Sequence, residues 1–500
     1  MELAPFLQNG SGQLARRSVR ATVATTAAAG LDFTVRLGSV AILARLVSPA
    51  DFGVVMMAGA AVAIAEQFRD LGLSTATLQR ADLSEREVTN LFWINAGAGA
   101  LLALLLCAAS PLLAALLDDP RLIPITCALS LTLPAGGLAV QHQALLGRSL
   151  RLGRLAAVRL GAGLAATGLA VWLALRGGGC WALLWREVAR AVLLTAGTWC
   201  LLPWKPGPPR NLAGIRPHLR FGADVLGSNL LGALSAACDR LIIGSFSGPA
   251  AVGVYRQAAQ LVATPTDQVL GPLYQVAQPA LSRVQHDPER YRRGYARLLT
   301  LVSLVTMPVS LFLAVFAEDA TLVLLGPGWS EAVPVVRILC FAAVFRQPVG
   351  STALILLTRG DARTCLRLAA LNQLLLVPAM FLGATKGPPG VALAEVSVAV
   401  LMIAPRLRSV CRTSPIGHHL LLETVARPFF AAVLMALVLL ASGPALEPLT
   451  APARLASAAA MATAAFAIAW LLLPGGRSSA ADLAADLRSA LRPSAPATTA

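Results

Sequence analysis

Apolar stretches of about 20 residues, the length that crosses the roughly 30 Å hydrocarbon core of a bilayer, recur from one end of this chain to the other. As helices, such stretches satisfy their own backbone hydrogen bonds in lipid. Charged residues make up only 13% of the 500 residues, about half of the roughly 25% that soluble domains carry. The sequence therefore predicts an all-α, multi-pass membrane protein and excludes a disordered chain or a string of soluble domains.

Windows of about 20 apolar residues place fourteen candidate membrane helices along the chain. They cover residues 21–44, 52–78, 88–109, 122–142, 155–175, 180–202, 219–246, 250–276, 298–317, 332–357, 366–384, 388–405, 424–443 and 453–473. Alternate loops, starting with the N-terminal segment and counted together with the helix ends that flank them, hold 28 of the 41 Lys and Arg residues, and the intervening loops counted in the same way hold five. Because basic residues concentrate in cytoplasmic loops, this alternation predicts fourteen helices with both termini in the cytoplasm. The same loops account for the net charge of +16, so the expected partner is the bilayer and not nucleic acid.

Two short segments of the chain repeat 200 positions apart. Residues 49–54 and 249–254 share a proline, an alanine, a glycine and a valine in the same order, and a weaker echo pairs 145–148 with 356–359. Each pair is separated by six predicted helices, so both copies have the same orientation in the membrane. This pattern predicts two six-helix lobes related by a pseudo-two-fold axis along the membrane normal, followed by two extra C-terminal helices.

The repeat divides the chain into six parts. They are a cytoplasmic N-terminal segment, an N-terminal lobe, a cytoplasmic linker, a C-terminal lobe, helices 13 and 14, and a cytoplasmic tail. Their predicted boundaries are 1–20, 21–202, 203–218, 219–410, 411–473 and 474–500.

A set of short motifs occurs in fixed order along the chain. The motifs are Ala44–Gly53, Ala144–Arg148, Asp239–Gly244 leading into Gly253–Tyr255, Leu324–Trp329 and Arg337–Leu339. In this order and spacing they resemble polysaccharide flippases, the polysaccharide transporter family of the multidrug/oligosaccharidyl-lipid/polysaccharide exporter superfamily. The likeness covers about residues 20–410. Gly248 and Ala251 depart from the residues often seen in the second turn, which leaves the subfamily open.

The resemblance carries expectations about activity. It implies two lobes around a cavity that opens alternately to either face of a bacterial inner membrane. It implies a cargo of polyprenyl-diphosphate-linked oligosaccharide, moved from the cytoplasmic to the outer leaflet for lipopolysaccharide or exopolysaccharide export. The polysaccharide polymerase and export machinery are the implied protein partners, and no cofactor is expected.

Two predicted helices near the N-terminus carry carboxylates within the membrane, where a charge normally faces a partner or a wet cavity. Asp32 and Arg36 lie four residues apart on one helical face, a spacing that favours an internal ion pair, with cargo contact as the alternative. Glu66 and Asp70 lie one turn apart in helix 2. Helix–helix pairing is the favoured interpretation of these two carboxylates, and a proton or sodium site is the alternative.

The second half of the chain carries arginines suited to a diphosphate, because guanidinium groups bind phosphate bidentately and stay charged. Besides Arg36, the candidates are Arg240, Arg256, Arg337 and Arg346. Arg240 could instead reach the outer surface along its apolar stem. Asp239 beside it is a candidate for an ion pair or for ion coupling.

Arg346 is the first choice among these arginines. It lies midway along predicted helix 10, two residues before Pro348, whose ring excludes the helical hydrogen bond to the carbonyl of Val344. The helix is therefore expected to bend or open there, as backbone lining a wet cavity can do. The alternative is an ion pair with Glu66 or Asp70 across the lobes.

Other function classes are disfavoured by the motifs that the sequence lacks. It contains no CxxC, HExxH, Walker A or Asp-x-Asp motif, so we expect no metal site, no catalytic residues and no enzymatic activity. A multidrug antiporter of the same superfamily stays an alternative, although aromatic residues are only 5% of the chain and such a pocket needs them. An integral-membrane glycosyltransferase or ligase is a weaker alternative, because the predicted outer loops are short.

Overall fold

The computed structural model describes residues 30–31, 33–70, 85–149, 152–202, 204–208, 216–474 and 476. Within these ranges every regular element is helical and no strand occurs. The helices are α1 (33–46), α2 (Pro49–Asp70), α3 (Glu85–Leu117), α4 (Leu122–Ser130), α5 (Thr132–Arg148), α6 (Leu152–Leu175), α7 (Cys180–Leu201), α8 (Arg216–Arg283), α9 (Pro288–Val315), α10 (Ala317–Leu324), α11 (Ala332–Gly350), α12 (Thr352–Thr358), α13 (Ala362–Ala384), α14 (Gly387–Leu401), α15 (Ile403–Thr413), α16 (His418–Leu446) and α17 (Ala451–Leu472).

Ten helical segments in the described part of the chain are long and apolar enough to cross a membrane. They are Pro49–Arg69, Glu85–Leu117, Leu122–Arg148, Gly153–Leu175, Pro288–Val315, Ala332–Thr358, Arg363–Ala384, Gly387–Thr413, His418–Leu446 and Ala451–Leu472. The predicted all-α, multi-pass membrane fold is thus confirmed. Predicted spans 180–202, 219–246 and 250–276 fall on α7 and α8, and span 21–44 lies partly outside the described residues. The number fourteen stays a prediction.

Sequence signals explain where individual helices begin and break. At the start of α9, the side chain of Asp287 accepts hydrogen bonds from the backbone N–H groups of Glu289 and Arg290, and Pro288 occupies the first turn. This is the arrangement preferred at helix N-termini. Helix α8 is interrupted at Gly248, with φ 77° and ψ −178°, a conformation that only glycine adopts without strain. The break falls between two predicted spans.

The described residues form two compact units. Unit 1 contains the residues up to Gln257 together with Leu324–Ser330 and Met380–Val391. Unit 2 contains Ala258–Val323, Glu331–Ala379 and the residues from Ala392 onward. These compact units are defined by contacts and are not the predicted lobes. The lobe boundary at residues 203–218 stays a prediction.

The two repeated segments contact each other within unit 1. A Cβ atom added to Gly53 would overlap the carbonyl oxygen of Pro249, and a Cβ added to Gly253 would overlap the carbonyl oxygen of Pro49. Each glycine thus lies against the proline that begins the other segment, and no larger residue fits at either position. We call this contact between residues 49–53 and 249–253 the glycine crossing.

The Leu324–Trp329 motif packs beside the glycine crossing in unit 1. The Trp329 side chain is 1% exposed, and its indole N–H donates to the carbonyl oxygen of Ala44 over 2.8 Å. Its ring meets Phe52 edge-on, with ring centroids 5.3 Å apart. Gly326 has φ 99°, and a Cβ added there would lie only 3.2 Å from the Cγ atom of Arg45. The motif therefore anchors the turn after α10 onto α1 and α2.

The segment after α7 is also fixed to unit 1. Trp204 is buried and packs with Phe92 and Leu145, while the carbonyl oxygen of Trp204 lies 3.2 Å from the Nε2 atom of His142. The Trp93 indole donates to the carbonyl oxygen of Gly207 over 2.8 Å. Residues 204–208, part of the predicted linker, are therefore held by aromatic side chains of α3 and by α5.

Unit 2 has a core with buried hydroxyl groups. Tyr291 and Tyr295 of α9 pack with Leu299 and Ile355. The Tyr295 hydroxyl lies 2.8 Å from the Ser351 hydroxyl in the break between α11 and α12. Because buried polar groups need partners, this hydrogen bond fixes α9 against the α11–α12 break.

Candidate functional site

Arg346 lies on α11 of unit 2 and forms an ion pair with Glu395 of α14. Its Nη1 atom donates to the Glu395 Oε1 atom over 2.6 Å. The Arg346 side chain is 37% exposed and the Glu395 side chain 21%. Glu395 was not among the partners expected from the sequence, which were the cargo, Glu66 and Asp70.

A cavity of about 160 Å³ opens beside this ion pair. Its polar lining consists of Arg346, Glu395, Asn372 of α13 and Arg406 of α15, and its apolar lining includes Phe341 and Phe345. We call it the arginine cavity. One water needs only roughly 10–15 Å³, so several waters or a small polar group can enter. Two guanidinium groups and one carboxylate give the lining a positive excess.

Asp267 adds a second carboxylate to the surroundings of Arg346. It lies on α8, within unit 2, close enough to interact electrostatically with the Arg346 guanidinium. The aromatic part of the lining is packed against a further helix, since Phe345 lies on Phe429 of α16 with ring centroids 5.7 Å apart. The cavity therefore combines charged and aromatic lining residues.

The helix interruption near Arg346 lies three residues later than the expected position. Helix α11 continues through Pro348 to Gly350, and the break before α12 is at Ser351. The Ser351 hydroxyl donates to the carbonyl oxygen of Pro348 over 2.6 Å. This side-chain hydrogen bond occupies a carbonyl near the break. The interruption thus lies just after the proline and not at Arg346.

A second charged cluster, in unit 1, brings together three predicted residues. Arg256 Nη1 donates to Asp239 Oδ2 over 3.0 Å, and the side chain of Asp239 is almost fully buried. Arg240 is half-buried, its Nε atom has no hydrogen-bond partner, and it lies close enough to repel Arg256. Two arginines and one carboxylate again leave a positive excess.

The other predicted site residues are placed separately. Glu66 pairs with Arg69 in the same helix, with 3.6 Å between the charged atoms, and the Arg69 guanidinium lies over Gly136 of α5. Arg36 and Arg337 are exposed. Asp32 and the side chain of Asp70 lie outside what the structure describes, so their predicted ion pairs are not tested.

Sequence reasoning missed Glu395, Asn372 and Arg406. One signal for Glu395 was available, because it is the only acidic residue between Asp361 and Glu423. An isolated carboxylate in an apolar helix requires a partner at membrane depth. Arg406 directly follows the predicted span 388–405, so the sequence placed it in a cytoplasmic loop.

Carboxylates outside the membrane helices also have defined partners. Arg121 donates hydrogen bonds to both carboxylate oxygens of Asp119, the shorter over 2.8 Å, and this contact holds the pKa of Asp119 below its usual value. A hydrogen bond from Thr364 likewise lowers the pKa of Asp361. Among the described residues, no group of three or more His, Cys, Asp or Glu side chains is placed to hold a metal ion.

The fold defines a class of membrane protein that contains known transporters. The structure is similar to a lipid II flippase MurJ in an inward closed conformation, with a TM-score of 0.71 and 11% identity over 90% of this chain and 98% of that one. It is also similar to an inward-facing MATE family multidrug resistance transporter of the MOP superfamily, with a TM-score of 0.58 and 14% identity, covering 78% and 95%. At these identities the likeness concerns the fold alone.

The sequence narrows the class to one family. Residues 42–334 match the profile of the family described as "Polysaccharide biosynthesis protein", and the chain belongs to that family. The lipopolysaccharide biosynthesis protein WzxC of Escherichia coli (strain K12) is 26% identical over 72% of this chain and 74% of its own. The succinoglycan biosynthesis transport protein ExoT of Rhizobium meliloti (strain 1021) is 26% identical over 63% and 64%.

Proposed function

We propose that this protein is a flippase, which moves a polyprenyl-diphosphate-linked oligosaccharide from the cytoplasmic to the outer leaflet of a bacterial inner membrane by alternating access. Family membership supports a role in polysaccharide biosynthesis, and the relative ExoT, which is named as a succinoglycan biosynthesis transport protein, supports transport. The fold shared with a lipid II flippase supports a lipid-linked cargo. The protein acts as a transporter and not as an enzyme.

The observation that carries the proposal is Arg346 beside the arginine cavity. Its guanidinium lies in the second half of a largely apolar membrane helix, where a charge is costly unless it serves a partner or a wet cavity. The positive excess of Arg346 and Arg406 over Glu395 suits an anion. A diphosphate fits this chemistry, because guanidinium groups bind phosphate oxygens bidentately.

The same observations argue against a multidrug antiporter. A pocket for cationic drugs requires negative charge and aromatic faces, whereas the cavity beside Arg346 has more arginines than carboxylates. The Asp239–Arg256 cluster also has one more cation than anion. Both charged clusters therefore favour an anionic cargo.

The proposal includes a topology of fourteen helices with both termini in the cytoplasm. Helices 1–6 and 7–12 form two lobes related by rotation about the membrane normal. The reciprocal contact of Gly53 with Pro249 and of Gly253 with Pro49 supports this arrangement, because equivalent segments meet across a two-fold axis in the same way. A cysteine at position 207 should be labelled only from the cytoplasmic side, and labelling from outside intact cells would contradict the topology.

The transport test uses purified protein in liposomes that contain a polyprenyl-diphosphate-linked oligosaccharide. Appearance of glycan on the opposite leaflet is followed with a lectin that cannot cross the membrane. We expect Arg346→Ala to slow transport roughly tenfold or more, as the loss of a charged hydrogen bond implies. Arg346→Lys should restore only part of the rate, because an ammonium cannot make the bidentate contact.

The matched control is Arg408→Ala. Arg408 is exposed on α15 and does not line the arginine cavity, so its removal changes the net charge by the same amount without touching the site. Its transport rate should equal that of the wild type. Equal rates for Arg346→Ala and wild type, at the same melting temperature, would remove Arg346 from the transport path.

A further inference from the structure

The Arg346–Glu395 ion pair has a feature that cargo binding alone does not explain. The guanidinium that is best placed for a phosphate is already engaged, over 2.6 Å, by a carboxylate of the same unit. Glu395 uses one Nη1 donor and neutralises the charge of Arg346, so an anion that approaches the remaining N–H donors is repelled by Glu395 as long as the pair holds. The carboxylate and an incoming anion therefore compete for the charge of one guanidinium.

We propose that Glu395 is a tethered competitor of the cargo, which occupies Arg346 when the cavity is empty and is displaced by a phosphate of the incoming diphosphate. This inference rests on the proposed function, and it concerns how the same site is regulated. Glu395 is a positioning residue, because it acts through Arg346 and not on the cargo directly.

The physical reason lies in the empty state of a carrier. A guanidinium without a counter-charge is costly at membrane depth, so a cavity that has released its cargo needs an internal anion in order to return. Conduction also requires that binding be weak enough to allow release. A carboxylate within hydrogen-bond distance meets both needs, since it neutralises the empty cavity and subtracts from the affinity for cargo.

The lining of the cavity can accommodate the displaced carboxylate. Arg406 lines the same cavity as Glu395, so a second cation is at hand once Arg346 turns to a phosphate. Asn372 supplies an amide that can donate to either anion. Asp267 of α8 lies near Arg346 without lining the cavity, and its carboxylate offsets part of the positive excess of the lining, which moderates the affinity for an added phosphate.

The test is a double-substitution cycle on the purified, full-length protein in nanodiscs. The probe is farnesyl diphosphate, a short polyprenyl diphosphate, with farnesol and inorganic diphosphate as separate arms that distinguish the lipid tail from the head group. Binding is measured by thermophoresis for wild type, Glu395→Gln, Arg346→Gln and the double variant. Melting temperatures are recorded in parallel.

We expect Glu395→Gln to bind farnesyl diphosphate roughly tenfold more tightly than wild type, because the competitor is neutralised. Arg346→Gln should bind roughly tenfold more weakly, and the double variant should bind as weakly as Arg346→Gln. In transport assays, Glu395→Gln should lower both KM and kcat, since tighter binding delays release. A pair that is merely structural would not tighten binding when it is broken.

Other results would overturn the inference in recognisable ways. If both single variants lose stability and the double variant regains wild-type stability and binding, the pair is structural, and the proposed function stands. If wild type binds the probe and no variant changes the affinity, the diphosphate binds elsewhere, and the proposed function again stands. If wild type binds farnesol as well as farnesyl diphosphate and transports no lipid-linked glycan, the proposed function itself fails.

Discussion

The glycine crossing in unit 1 and the arginine cavity in unit 2 are both places where helices meet, and they are held in opposite ways. At the crossing, Gly53 and Gly253 bring backbone against backbone, and no side chain fits between them. At the cavity, α11 and α14 are joined by the charged side chains of Arg346 and Glu395, with about 160 Å³ of open space beside them.

This difference indicates what each region can do. Close backbone packing through small residues gives membrane helices a large contact without polar groups, and it tolerates no added atoms. An ion pair beside a cavity can exchange partners, because another anion can take the place of the carboxylate beside the guanidinium. The crossing is therefore expected to respond to volume, and the cavity to charge.

The largest expected effect comes from adding volume to the glycine crossing. Gly53→Leu would force the α2 and α8 backbones apart, because the atom it meets is a carbonyl oxygen of Pro249 and not a mobile side chain. We expect a loss of about 3 kcal/mol or more in the free energy of unfolding, seen as a lower melting temperature in detergent and lower abundance.

Gly53→Ala and Gly59→Ala are the matched pair for this change, because each adds only a Cβ in the same helix. At Gly53 that atom overlaps the carbonyl oxygen of Pro249, whereas at Gly59 it meets no atom within 4 Å. Gly59→Ala should therefore keep a near-wild-type melting temperature, and Gly53→Ala should not. Equal melting temperatures for the two alanine variants would mean that the crossing is not a close contact in the folded protein.

The next effect sharpens the comparison between the two charged clusters. Asp239→Asn would leave Arg256 without its carboxylate partner at 3.0 Å, with a loss of about 2 kcal/mol in the free energy of unfolding, because breaking a buried pair leaves a charge uncompensated. Adding Arg256→Gln should restore most of that stability. The measurement is the melting temperature of the two single variants and the double variant.

This result contrasts with the one expected at the arginine cavity, where the double variant is predicted to stay defective in binding. If the Asp239 and Arg256 double variant regains stability but loses transport, unit 1 also contributes a cation to the cargo. If Asp239→Asn is as stable as wild type, the pair has no structural role.

The all-α membrane fold could be predicted from the sequence, because hydropathy and the length of apolar stretches are local properties. The echo of residues 49–54 in 249–254 identified two segments that the structure brings into contact. Gly53 and Gly253 carried a readable signal, since close approach of two backbones requires residues without a side chain.

The partner of Arg346 was beyond the sequence alone. Glu395 lies 49 positions away on a different helix. A single sequence does not show which helices pack against each other. The helix was predicted to bend or open at Pro348, whereas α11 continues through Pro348 and the interruption is at Ser351. Asp239 and Arg256 were both named from the sequence, although their pairing was not.

A smaller effect is expected where the Leu324–Trp329 motif is anchored beside the glycine crossing. Trp329→Phe keeps an aromatic ring against Phe52 but removes the N–H that donates to Ala44. The buried carbonyl oxygen would then lose a hydrogen bond, at a cost of about 1–2 kcal/mol in the free energy of unfolding. Trp329→Ala should cost more, since it also removes the ring, and melting temperatures in detergent will rank the two.

Equal stability of Trp329→Phe and wild type would show that the hydrogen bond contributes nothing and that ring packing alone holds the motif.

The smallest effect tests a charge outside the membrane helices. Hydrogen bonds from Arg121 hold the pKa of Asp119 below its usual value, so the ionised carboxylate stabilises the folded state at neutral pH, and this contribution is lost as the pH falls below about 4. Asp119→Asn should lower the free energy of unfolding at pH 7 by about 1 kcal/mol or less, since the Arg121 side chain is half exposed. At pH 3 the variant and wild type should melt at closer temperatures than at pH 7.

The control is Asp118→Asn, because Asp118 is exposed with φ 50°, a conformation that asparagine also accepts. An unchanged gap between Asp119→Asn and wild type across this pH range would mean that the Asp119–Arg121 contact does not depend on the carboxylate charge.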